Sequence, residues 1–192
     1  DRASALLRSY HLTGTYIDDK QSLQLHLLAG QERTYQAWNG LPVQFAGIDS
    51  LRTYNISGTE KPGEPYEDEV DNYTQRHYLA HYKRLFGAGL HLQVNGHYTR
   101  GFGYYEQYKA EQSYAKYLLL PPDTLRTVTD LIRQRWLDNH FYGVSAVLRW
   151  APPINPPMLS AAPLFLLGGA VSHYNGKHFG EIIWADAGIE KG

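Results

Sequence analysis

Two histidines, His77 and His81, and three successive acids, Glu67, Asp68 and Glu69, are the groupings of this chain whose types and spacing could do chemistry. A four-residue histidine spacing chelates a metal on a helix. On a strand, rising about 3.3 Å per residue, the same pair stands about 13 Å apart, so these two read as solvated histidines of one strand face. Glycoside hydrolysis needs two carboxylates facing each other across a sugar, whereas adjacent acids in a loop that also holds Lys61-Pro62-Gly63 read as a solvated face. No Ser-His-Asp arrangement, phosphate-cradling glycine loop or zinc-ligand spacing occurs. Cysteine is absent, so neither a disulfide framework nor a thiolate metal site can form. The chain therefore reads as a non-enzyme, with no catalytic residues, cofactor or metal site.

The remaining chemistry is that of binding surfaces. Tyr35, Trp38, Tyr104, Tyr105, Tyr108 and Trp184 fall in or beside the long connections, where aromatic rings with polar tips could stack on a ligand. Their other reading, packing of loop against loop or marking of an interface, is the commoner one. Arg100 and Lys109 near the same rim suit an anionic ligand, and solvated rim charges are equally natural.

The elements that carry these residues show a two-residue period. Residues 90–98 read Leu-His-Leu-Gln-Val-Asn-Gly-His-Tyr, apolar or small at even numbers and hydrogen-bonding at odd ones, which makes a strand with one apolar and one wet face. Six strands are predicted, over about residues 7–17, 22–35, 73–86, 90–104, 131–150 and 164–175. Asp18-Asp19-Lys20 and Gly87-Ala88-Gly89 form short corners. Residues 151–163 hold five prolines, which cannot donate to a sheet ladder. Residues 36–70 and 105–129 are long connections, and a third begins after Asn175-Gly176. Alternating short and long connections between long amphipathic strands are the pattern of an outer-membrane β-barrel, with short periplasmic turns and long external loops. Tyr10, Tyr16, Tyr78, Tyr82, Tyr98, Tyr142 and Trp150 then sit where interfacial aromatic girdles lie.

Composition bounds this reading. A net charge of −1 and a pI near 6.8 give no electrostatic case for a nucleic-acid partner. Mean hydropathy is −0.47 and no apolar run approaches the roughly 18–20 residues of a spanning helix. A barrel wall tolerates such a mean, because only alternate residues meet lipid. Neither end carries a signal peptide or a closing aromatic strand, so the chain reads as an interior piece of something longer.

Four stretches carry a family resemblance: TYQAWNG at residues 34–40, HYTRGFGYYEQYK at 97–109, RWLDNHFYG at 135–143 and YNGKHFGEIIW at 174–184. Together, in this order, they resemble the TonB-dependent outer-membrane receptors of Bacteroidetes-type bacteria. The resemblance implies that residues 1–192 are a partial all-β domain, about six antiparallel up-and-down strands of a 22-stranded transmembrane barrel. The family's plug and its TonB-contacting segment would lie upstream. It further implies a bacterial outer-membrane receptor that imports a scarce nutrient, an iron chelate first, with cobalamin, haem and glycans open. Outer-membrane lipid and the TonB complex are the implied partners. The proline-rich stretch departs from the family's usual short turn.

Two other classes compete. A soluble β-sandwich or small closed barrel acting as a carbohydrate-binding module would cover both strand faces with protein and keep its loops short. A β-rich hydrolase would need converging acids, which the sequence does not show.

Overall fold

The computed structural model describes residues 2–123, 125–153 and 163–188. Six strands, β1 (Ala5–Ile17), β2 (Gln21–Tyr35), β3 (Val70–Phe86), β4 (Leu90–Ser113), β5 (Val128–Trp150) and β6 (Phe165–Ala185), form one antiparallel sheet in sequence order. Between them lie only short 3₁₀ turns, at Val43–Phe45, Asp49–Leu51 and Ala115–Tyr117, and no α-helix occurs among the described residues. No described helix is long and apolar enough to cross a membrane. The fold is all-β, up-and-down and open at both edges.

The corners are built by local hydrogen bonding. Asp18 Oδ1 accepts the backbone N–H of Lys20 and Gln21 at 2.8 and 2.9 Å, and Tyr16 and Gln21 donate to Oδ2. These donors favour the carboxylate, led by the Lys20 N–H, and hold its pKa at about 2. At the β3–β4 corner Ala88 and Gly89 both take positive φ, the tight turn whose twist matches a hairpin. A Cβ on Gly89 would also collide with the Ala151 carbonyl, whose residue donates its N–H to Gly89 O.

Register fixes the two faces. One row across the sheet runs Leu12, Leu27, Tyr78, Tyr98, Tyr142 and His173. Two residues nearer the corners the row is Gly14, Leu25, Ala80, Gly96, Val144 and Val171, and at the corner end it is Phe86, Leu90, Trp150 and Phe165. An apolar band thus lies between two aromatic rows, and Tyr10, Tyr16, Tyr78, Tyr82, Tyr98, Tyr142 and Trp150 all point to this one face. The other face carries Thr15, Gln24, His81, Asn95 and Ser145 in a single row. Residues 90–98 span the band on β4, matching the roughly 9–11 residues of a tilted transmembrane strand.

No second layer covers the band among the described residues. Val144 is 44% exposed and Val171 67%, and the element contacts are almost wholly between neighbouring strands. The paired sheets of a sandwich are therefore not this architecture. Buried side chains gather instead at the far end, where Tyr35, Gln36, Val70, Glu106, Tyr108, Tyr114 and Leu131 meet beneath the long connections.

Two boundaries differ from the sequence reading. β4 runs on to Ser113 and β6 to Ala185, so Tyr105, Tyr108 and Trp184 stand on strands and not in loops, and Tyr104 lies within β4 and not at its end. Asn175-Gly176, read as a turn, continues β6: the Tyr174 hydroxyl lies over Gly176 and donates to Asn139 of β5. Most of the proline-rich segment, residues 154–162, lies outside the described residues, as do the last four residues.

Candidate functional site

The far end of the sheet is organised by Gln36 and Glu106. Gln36, almost fully buried where β2 leaves the sheet, donates through Nε2 to the carbonyls of Val70 and Glu106, both at 3.0 Å. Glu106 on β4 accepts Gln134 Nε2 at 2.6 Å and a short hydrogen bond from the Tyr66 hydroxyl. Tyr35 donates to the Ser57 and Tyr66 carbonyls, and Asn55 donates to the Gln36 carbonyl at 2.8 Å. Lys109 pairs with Glu60. Together these bonds strap residues 36–69 onto β3 and β4. Burial raises the Tyr66 pKa above the usual tyrosine range, with the Glu106 hydrogen bond adding to it, so Tyr66 stays a donor. Burial also raises the Glu69 carboxyl, whose Oε2 has no hydrogen-bond partner, and Gly58 and Lys109 oppose the shift.

The seven ligand candidates do not form one cluster. Tyr35 and Tyr108 are buried in the packing just described; Tyr108 stacks at 6.3 Å on Trp184 and donates to Asp130. Tyr104 packs at 4.6 Å on Trp136, which stacks on Phe179. Arg100 lies over Phe102. By register these five share the face of the apolar band. Tyr105 alone points to the polar face, and Trp38, 56% exposed, stands edge-on to it at 5.3 Å.

That pair belongs to a larger group. Arg135 donates to the Tyr105 hydroxyl at 3.0 Å with its guanidinium 5.9 Å from the ring centre. Arg133, on the same face of β5, donates to Tyr117 at 2.7 Å and to Gln107 at 2.8 Å, and Gln107 reaches Gln36 at 3.3 Å. Two fixed guanidiniums, an exposed indole and a phenol make a surface suited to a planar or anionic ligand. Arg133 and Arg135 were not singled out from the sequence, although their two-residue spacing on a strand places both on one face.

Glycines make room for this surface. A Cβ on Gly103 would stand 2.2 Å from the Asn72 carbonyl, and one on Gly101 would strike the Tyr73 hydroxyl. Tyr73 therefore lies across the GFG segment, residues 101–103, in the middle of β4.

The histidines of the polar face bond between strands. His77 Nδ1 meets Thr99 and His81 Nδ1 meets Asn95, both at 2.9 Å. His26 bridges His11 and His81, with ring centres 5.6 and 5.5 Å away. Among the described residues no group of three His, Asp or Glu is arranged to hold a metal ion. Of the three acids, Asp68 pairs with Arg33 at 2.7 Å while Glu69 is buried, so they diverge.

Compared with known proteins, the chain matches no family model, and no curated protein matches it significantly.

Proposed function

We propose that this sheet is a sector of a transmembrane β-barrel in a bacterial outer membrane, part of a TonB-dependent receptor that captures a scarce nutrient, an iron chelate first, at its external face. One observation carries the reading. An apolar band that no described residue covers lies between two aromatic rows, on strands whose other face is predominantly polar. In water such a band is an aggregation surface, and two unpaired edges compound it. In a barrel wall lipid covers the band and further strands pair the edges.

The polar face then lines the interior, and Trp38, Tyr105, Arg133 and Arg135 stand near the external opening. Guanidiniums and rings there attract and stack a negatively charged chelate, and no covalent bond is made or broken. Release inward would rest on a plug moved through TonB, powered by the proton gradient of the inner membrane.

The test expresses the whole protein, with whatever strands and plug its gene encodes. Recovery in the outer-membrane fraction with a heat-modifiable gel mobility, plus saturable quenching of tryptophan fluorescence by a ferric chelate, supports the reading. Monodisperse folding in water without detergent rejects it.

A further inference from the structure

We propose that Arg76 and Arg100 form a site on the outward face for the phosphorylated headgroup of a membrane lipid. The proposal rests on the barrel reading and adds a ligand to it. Arg76 on β3 and Arg100 on β4 are directly paired across the strands, a position where like charges repel. Both guanidiniums lie over one ring, that of Phe102, at 5.7 and 4.8 Å. The arrangement converges two cations on one spot and calls for an anion.

The protein supplies only part of one. Asp138 Oδ1 stands 3.4 Å from Arg100 Nε and 3.4 Å from His140 Nε2, and neither the oxygen nor Arg100 Nε gains a hydrogen bond. Arg76 is exposed, and no carboxylate lies within ion-pair distance of it among the described residues. The pair therefore keeps a net positive charge and unused donors.

Its height on the sheet identifies the source of the anion. Arg76 and Arg100 are two residues, about 7 Å along the strand, beyond the Tyr78–Tyr98–Tyr142 row, and on the same face. Tyrosine rows of this kind mark the level where acyl chains give way to headgroups. A phosphate monoester at that level offers several oxygens to two forks, the geometry guanidinium favours over ammonium. A solute in bulk water would have to approach the same spot along the lipid surface.

The experiment uses the whole protein in detergent micelles, with phosphatidic acid as probe, phosphatidylcholine as control lipid and native mass spectrometry as readout. The site predicts preferential retention of phosphatidic acid, about tenfold weaker in the R76Q/R100Q variant and partly restored in R76K/R100K. Heat-modifiable mobility identifies correctly folded variants, and K116Q, a loop lysine away from the pair, should bind as the parent does. Equal retention of both lipids by the parent, or unchanged preference in R76Q/R100Q, overturns the proposal while leaving the barrel reading intact. Displacement of the lipid by equimolar inorganic phosphate overturns its assignment to a lipid. A protein that folds in water without detergent removes the barrel reading, and this proposal with it.

Discussion

The two ends of this sheet solve the burial problem in opposite ways. Beyond the Tyr78–Tyr98–Tyr142 row the chain builds a core of its own, in which residues 36–69 lie over β3 and β4 and Gln36, Glu106 and Leu131 are sealed from solvent. Toward the corners the outward face of the sheet buries almost nothing: Leu25 on β2 is 50% exposed and Val144 on β5 44%. Strand register runs unbroken through both ends on β2 and β3, so pairing does not distinguish them. The difference lies in what covers the outward face, which is protein at one end and, in our account, lipid at the other. A row of tyrosines marks the boundary.

The comparison is broken most severely by placing a charge in the band. Ala146→Arg, paired with Val94 midway between the two aromatic rows, should cost about 2–4 kcal/mol near the bilayer midplane, seen as loss of heat-modifiable protein from the outer membrane, whereas Ser145→Arg on the opposite face should assemble. Equal behaviour of the two variants would remove the distinction between faces. The self-supplied core is broken next by Gly103→Ala, whose Cβ meets the Asn72 carbonyl and the Tyr73 Cα. It should destabilise by about 1–3 kcal/mol, read as faster proteolysis of residues 36–69.

Trp38→Ala and Arg135→Gln should each weaken binding of the ferric chelate about tenfold, equivalent to about 1.4 kcal/mol, with thermal unfolding unchanged. Lost stability with unchanged affinity would make these residues packing groups. Tyr66→Phe removes one donor from buried Glu106 and should cost about 1 kcal/mol, visible as increased hydrogen exchange in residues 55–66.

The smallest effect sharpens the picture of the strap. Because burial raises the folded-state pKa of Glu69, the folded form holds its proton more tightly than the unfolded chain does. Stability is then greatest below the ordinary glutamate value of about 4.3 and declines as pH rises through it toward the folded pKa. Glu69→Gln should flatten that slope and raise the unfolding temperature at neutral pH relative to the parent. A steeper decline in the variant would show that Glu69 is stabilising as a carboxylate.

Strand identity and order were legible in the sequence because alternation over residues 90–98 and its counterparts is enforced by two unlike surroundings. That Tyr10, Tyr16, Tyr78, Tyr82, Tyr98, Tyr142 and Trp150 share one face was legible for the same reason. Strand ends were not: in β4 and β6 alternation continues beyond the band, where aromatic and glycine residues imitate a loop and Asn175-Gly176 imitates a turn. The Gln36–Glu106 contact joins residues 70 apart in the chain, and the His11–His26–His81 group needs three strands in register, so no local spacing announces either. Tyr105 and Tyr104 are neighbours in sequence, yet the pleat sends them to opposite faces. A list of aromatic residues without register could not separate the Trp38–Tyr105 surface of the polar face from the outward one.

The most direct test of the account places single nitroxide labels at Leu25, Leu27 and Val144, and at Gln93, Asn95 and Ser145, in the whole protein reconstituted in lipid vesicles. Collision with oxygen and with a water-soluble nickel chelate is then measured at each site. The account predicts that the first three are oxygen-accessible and shielded from nickel, with the last three showing no such preference for oxygen. Low access to both reagents at Leu25, Leu27 and Val144 would mean that protein covers the band, and would contradict it.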